Sequence, residues 1–142
     1  MATRTVRDVM TRRVVYLPAE TPVDEAAQAM RAADIGDVVI TDGPVLAGIL
    51  TDRDIVVRAV AERLDPGRTT VGAIASSELI MIQQDATPQE AVRLMRQRAV
   101  RRLLVCDADR QLVGVISLGD LAMHLDLSSV LSDISEATPS SS

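Results

Sequence analysis

Apolar positions along the chain fall into short runs and helix-spaced stripes, in an order that is written twice. Val14-Val15-Tyr16-Leu17 is a run of strand length. Thr21-Pro22-Val23-Asp24 then opens a helix, with Thr to cap, Pro in the first turn and Asp placed to reach back. Val23, Ala26, Ala27, Met30 and Ala33 continue it at helical spacing, and Gly36 ends it. Val38-Val39-Ile40 and Val45 to Leu50 predict two strands, joined at Thr41-Asp42-Gly43-Pro44, where Asp-Gly marks a tight turn. A second helix starts at Thr51 or Asp52 and runs to Glu62. Leu64-Asp65-Pro66-Gly67-Arg68 then breaks the pattern as a linker.

The same order returns. Leu79 to Ile82 reads as a strand, Thr87-Pro88-Gln89-Glu90 as a helix start, Leu103-Leu104-Val105 and Leu112 to Ile116 as strands, and Ser117 as the start of a helix. Val6/Val71, Glu25/Glu90, Met30/Met95 and Asp42/Asp107 recur at a spacing of 65. A seven-residue signature recurs at 66: Gly48-Ile49-Leu50-Thr51-Asp52-Arg53-Asp54 and Gly114-Val115-Ile116-Ser117-Leu118-Gly119-Asp120. One residue of slippage over so long a stretch is what two tandem copies of one supersecondary unit show. The predicted fold is therefore α/β (α+β), two β-α-β-β-α repeats over residues 1–65 and 66–127. Val6 to Met10 is a lead-in of one helical turn, and the Ser-rich segment 128–142 reads as a disordered tail. A half of this size leaves one sheet face poorly covered. The two copies are expected to pack about a pseudo-twofold axis with two clefts between them, and the chain to pair into a homodimer.

Composition narrows the function. At 142 residues and 47% hydrophobic the chain can bury a real core. Its mean hydropathy of +0.18 is high, yet no apolar run approaches the roughly 20 residues that a membrane span needs. The polar start, Met1 to Met10, has no apolar h-region, so no secretory signal is expected. The single cysteine, Cys106, excludes an intramolecular disulfide; the reading is cytoplasmic. A net charge of −5, no Trp, no Phe and one Tyr argue against nucleic-acid binding, which needs basic surface and stacking rings. Ser117 has no His or Lys base near it in sequence, so no enzyme is predicted and no catalytic residue named. His124 stands alone and Cys106 sits in an apolar strand, so neither is assigned a metal.

Val9-Met10-Thr11, Thr21-Pro22, Asp34-Ile35-Gly36, Val100-Arg101-Arg102-Leu103 and the two signatures together resemble a tandem pair of CBS domains, a Bateman module. The resemblance covers roughly residues 6–125 and is closest to small stand-alone members. It implies a regulatory module holding an adenine nucleotide (AMP, ADP or ATP) in the clefts, with no required cofactor. Asp54 and Asp120 then look like acceptors for ribose hydroxyls, and Thr51 and Ser117 like hydroxyls that approach phosphate. The family would place adenine against Val14, Val15 and Val38, and against Leu79, Ile80 and Leu103. Arg101 and Arg102, at the start of a strand, match positions where nucleotide-binding relatives set a cation against phosphate. A guanidinium fork suits that role. The first copy has Gly36 and Asp37 there instead, so the two sites are expected to differ. Thr51-x-x-Asp54 and Ser117-x-x-Asp120 are also ordinary capping boxes. The alternative function is accordingly a ligand-free interaction or stress-response protein using the same fold.

Overall fold

The computed structural model describes residues 4–124, and the Ser-rich segment 128–142 lies outside them. In chain order the elements are α1 (Val6–Val9), β1 (Tyr16–Pro18), α2 (Val23–Ala33), β2 (Asp37–Asp42), β3 (Val45–Thr51) and α3 (Asp52–Ile55), which passes into a π-helical stretch (Val56–Val60). There follow α4 (Val71–Ile74), β4 (Met81–Gln83), α5 (Pro88–Arg98), β5 (Arg102–Cys106), β6 (Leu112–Ser117) and α6 (Leu118–His124). The order β-α-β-β-α thus occurs twice, as predicted, each time preceded by a single helical turn. Each set builds a three-stranded sheet, β1-β2-β3 and β4-β5-β6, with one parallel and one antiparallel pairing. Both sheets shift register at the same place, between Ile40 and Thr41 and between Val105 and Cys106. The change in spacing from 65 to 66 falls in the turn that follows. Asp42-Gly43-Pro44 turns tightly with Gly43 at φ 61°. The longer second turn is organised by Asp107, whose carboxylate accepts from the amides of Asp109 and Gln111, both at 2.9 Å.

The compact units do not follow chain order. Val14–Leu79 forms a central unit, and residues up to Arg13 together with those from Ile80 form a split unit. Within the split unit, Val6, Val9 and Met10 are buried with Ile82, Val92, Leu103, Ile116 and Leu121. Within the central unit, Val71 and Ile74 of α4 are buried with Val23, Val38 and Leu50. Each sequence repeat has therefore given its leading helical turn to the unit built by the other. Backbone bonds fasten both transfers: Thr11 pairs with Val115 at 2.9 and 3.0 Å, and Ser76 pairs with Ile49 at 2.9 Å in both directions. The crossing segment lies so close that a Cβ on Gly48 would stand 2.6 Å from the Ser76 carbonyl oxygen. A Cβ on Gly114 would stand 2.8 Å from the Thr11 carbonyl oxygen and 2.6 Å from the Met10 sulfur. The glycine that opens each signature is there to let a backbone pass.

Helix ends depart from the sequence reading in two places. Thr87 caps α5 with Glu90 as a reciprocal box, at 3.1 and 3.3 Å. Thr21 does not cap α2; Pro22 is the cap residue. The carbonyl of Thr21 is taken by Val71 N–H, and the first-turn amides of Val23 and Asp24 donate to Thr69 and Pro66 carbonyls in the linker. The linker backbone thus supplies what the threonine side chain was expected to supply. At the other end, α2 stops not at Gly36 but at Asp34, which is left-handed at φ 55°, and α5 stops at Ala99 at φ 54°. Aspartate tolerates that conformation; alanine gains nothing from it. Ala99→Gly is expected to stabilise the protein by about 0.5–1 kcal/mol. A thermal melt of the variant checks this, and an unchanged or lowered midpoint would contradict it.

Candidate functional site

In both units a strand ends in a hydroxyl residue and the next helix begins at once. Thr51 closes β3 in the central unit. Its Oγ1 accepts from the Asp54 amide at 3.0 Å, and its own amide donates to Asp54 Oδ2 at 2.9 Å. Ser117 closes β6 in the split unit with the same geometry: its Oγ accepts from the Asp120 amide at 3.0 Å, and its amide donates to Asp120 Oδ2 at 2.9 Å. The next amide is also taken the same way, Asp52 N–H by the Gly36 carbonyl and Leu118 N–H by the Arg101 carbonyl, both at 2.9 Å. The reciprocal capping box is therefore realised twice. Each carboxylate keeps its second oxygen, Oδ1, outside the box, and neither aspartate is fully buried.

The surroundings of the two Oδ1 atoms differ. Asp54 Oδ1 lies 3.8 Å from Arg58 Nε, one helical turn on, and the Arg58 guanidinium also donates to the Ile74 carbonyl at 3.2 Å. The pair is weak, because the Arg58 side chain is half exposed. In the split unit the residue one turn on is His124, which meets Arg4 at 3.1 Å rather than Asp120. Asp120 is approached by the Thr11 hydroxyl at 3.5 Å. Ser76 and Arg58 are not singled out by the sequence, and Thr11 only as part of Val9-Met10-Thr11. The signal available was the 65-residue spacing of Thr11 and Ser76, two hydroxyl residues at matching positions.

The remaining candidates divide by burial. Val15 and Ile80 are fixed by matching bonds across the parallel strands, Val39 N–H to the Val15 carbonyl and Leu104 N–H to the Ile80 carbonyl, each at 2.9 Å. Val14 and Val15 are partly exposed. Val38, Ile80 and Leu103 are not: at 0%, 7% and 1% exposure they belong to the cores of their own units. These three can shape a ligand surface only through the strands they anchor. Arg101 is exposed at the entrance to β5 and Arg102 half-buried as its first residue. Gly36, just before β2, and Asp37, its first residue, occupy the matching positions. Cys106 is buried and free, its thiol directed to the Ile82 carbonyl.

Two three-stranded sheets, each with a parallel and an antiparallel pairing, a doubled strand–helix junction and an exchanged leading turn define a tandem α+β module. Comparison with known proteins gives the class. The CBS domain matches twice, over residues 6–60 and 71–127, and the chain belongs to the CBS-domain family as a tandem pair. The pair is a regulatory module. It is 37% identical over 119 residues to the CBS domain-containing protein YhcV of Bacillus subtilis, covering 84% of each chain. It is 38% identical over 122 residues to hypoxic response protein 1 of Mycobacterium tuberculosis, covering 85% of each. The crystal structure of Hypoxic Response Protein I, described with two coordinated zinc ions, superposes with a TM-score of 0.66 at 37% identity over 88% of this chain and 100% of that one. A conserved CBS domain protein of Thermoplasma acidophilum, at 19% identity, shares the fold with a TM-score of 0.83, covering 98% of this chain and 78% of that one. Among the described residues of this chain, no three His, Cys, Asp or Glu side chains come together as metal ligands would. No helix among them is long and apolar enough to cross a membrane.

Proposed function

We propose that the chain is a cytoplasmic, non-catalytic sensor that binds an adenine nucleotide, AMP, ADP or ATP, and that it works as a homodimer. The observation that carries the nucleotide reading is the repetition of one geometry in two separate units. In each, a hydroxyl and a carboxylate close the same reciprocal box at 2.9 and 3.0 Å, with the carboxylate's Oδ1 left outside the box. Ribose hydroxyls can donate to Oδ1 of Asp120 and, in competition with the weak Arg58 pair, to Oδ1 of Asp54, while the partly exposed Val14 and Val15 offer apolar surface to a base. The split unit also presents Arg101, so charge-assisted contacts to phosphate come from that unit. Self-association is supported by an apolar stripe on the central unit: Val56, Val57, Val60 and Leu64 are between 41% and 64% exposed. Met123 stands 66 residues after Val57 and is 83% exposed. The ligand-free interaction reading is favoured by one observation only: both boxes are already complete without a ligand.

Arg101 separates phosphate recognition from the rest. Losing a hydrogen bond to a charged group costs roughly 1.5–3 kcal/mol, so Arg101→Ala should weaken AMP binding by about tenfold or more. Adenosine, which lacks the phosphate, should bind the variant almost as it binds the parent. Titration of both proteins with both ligands is the test. Equal losses for adenosine and AMP would mean that Arg101 holds structure and not phosphate.

A further inference from the structure

The two capping boxes share one geometry, but the residue one turn beyond each carboxylate differs: Arg58 follows Asp54, and His124 follows Asp120. Arg58 is held over its aspartate from two sides. Its Nε lies 3.8 Å from Asp54 Oδ1, and its Nη1 donates to the Ile74 carbonyl at 3.2 Å. Ile74 is the last residue of α4, and a carbonyl at a helix end needs such an outside donor. Beneath the guanidinium the Asp54 side chain is only 17% exposed. Arg58 also lies within the π-helical stretch Val56–Val60, where the Ala61 amide reaches back to the Val56 carbonyl at 2.9 Å. Such stretches are rare and frequently mark functional sites. The split unit has no counterpart. There α6 is α-helical from Leu118 to His124, and the His124 ring faces Arg4, with Nδ1 and Nη1 3.1 Å apart. Among the described residues no cation pairs with Asp120.

Resting on the nucleotide reading above, we infer that Arg58 is a lock on the central unit's site: it occupies the carboxylate oxygen that a ribose needs, so the central unit takes an adenine nucleoside less readily than the split unit does. A guanidinium and a ribose hydroxyl are both donors, and they compete for the same lone pairs of Asp54 Oδ1. A ligand must lift Arg58 off the carboxylate before it can use that oxygen. The bond to the Ile74 carbonyl keeps the displaced guanidinium close by, ready to return. The lock is weak because Arg58 is half exposed, and an ion pair of this kind shifts an equilibrium by about twofold to fivefold. Its consequence is an order of filling. The split unit responds at lower ligand concentration, and the central unit responds only above it.

An amide NMR titration with adenosine, whose lack of charge leaves nothing for an arginine to attract, tests this unit by unit. The amides of Thr51 and Asp54 report the central unit, and those of Ser117 and Asp120 the split unit. In the parent the split-unit amides should saturate first. Arg58→Met keeps the alkyl stem and removes the cation. It should tighten binding at the central amides by about threefold and leave the split-unit amides as they were. Raising salt from about 0.05 M to about 0.5 M screens the pair, so the parent's central amides should titrate about twofold more tightly while the split-unit amides hold their place as the internal control. That series needs no variant, and a melting curve shows whether Arg58→Met is folded. Central amides that Arg58→Met leaves unchanged or weakens, or that ignore salt, would overturn the lock alone, provided the split-unit amides still titrate. Amides of neither unit moving with adenosine or AMP would overturn the nucleotide reading itself.

Discussion

Gly48→Ala is expected to destabilise the central unit by about 2–4 kcal/mol and to lower the melting temperature by roughly 10 °C. The added Cβ would fall 2.6 Å from the Ser76 carbonyl oxygen, a backbone atom that cannot swing aside. Relief requires the crossing segment to lift away, and that movement stretches both backbone bonds between Ile49 and Ser76. It also draws on Ile74 and Val71, which are buried in the same core. Gly114→Ala should act alike in the split unit through Thr11 and Met10, with a smaller loss because the Met10 side chain can move. Gly119→Ala is the internal control. Its Cβ would meet only Ser117 Oγ, at 3.6 Å. Within a helix, alanine is favoured over glycine by about 1 kcal/mol. Three melting curves decide the matter, and equal midpoints for Gly48→Ala and Gly119→Ala would refute the close crossing.

The second large effect concerns the two carboxylates. Asp54→Asn and Asp120→Asn keep an oxygen that can accept from Thr51 or Ser117 N–H, so the capping boxes largely survive. What they lose is the charged acceptor offered to a ribose. The double variant should therefore stay folded yet bind adenosine and AMP at least about tenfold more weakly, alike for both because ribose is common to both. This pattern is the complement of that expected for Arg101→Ala. A double variant that binds like the parent, with its fold intact, would leave the carboxylates only their capping role.

Much of this was legible in the chain. Alternating apolar runs and helix starts define two β-α-β-β-α repeats, because each run has to bury one face and each break is written in Gly, Pro or Asp. The strand–helix junctions at Thr51 and Ser117 could be read from the signature alone, since a hydroxyl three residues before an acid is a local pattern with a local consequence. The exchange of leading turns could not be read that way. Val6 to Met10 is apolar on one side whichever unit covers it, and no periodicity says where a short turn will dock. The only hint lay in Gly48 and Gly114, where a strand gives up its side chain for a backbone passing close by. The cap of α2 was missed for a similar reason: the carbonyls of Thr69 and Pro66 that replace Thr21 come from a linker more than 40 residues on. Val38 and Leu103 illustrate a third gap. An apolar pattern tells that a strand residue is inward, but not whether inward means the core or a ligand surface.

The most direct test of the central claim is a melting curve of the full chain with and without AMP, ADP, ATP and adenosine. A ligand present at about a hundred times its dissociation constant stabilises the folded state by roughly 2.7 kcal/mol. For a chain of this length that corresponds to a rise in melting temperature of about 5–10 °C. The account predicts such a rise with at least one adenine nucleotide, and its loss in the Asp54→Asn, Asp120→Asn double variant. No shift with any of them at several times millimolar concentration would contradict it, and would leave a CBS pair that acts through its surface alone.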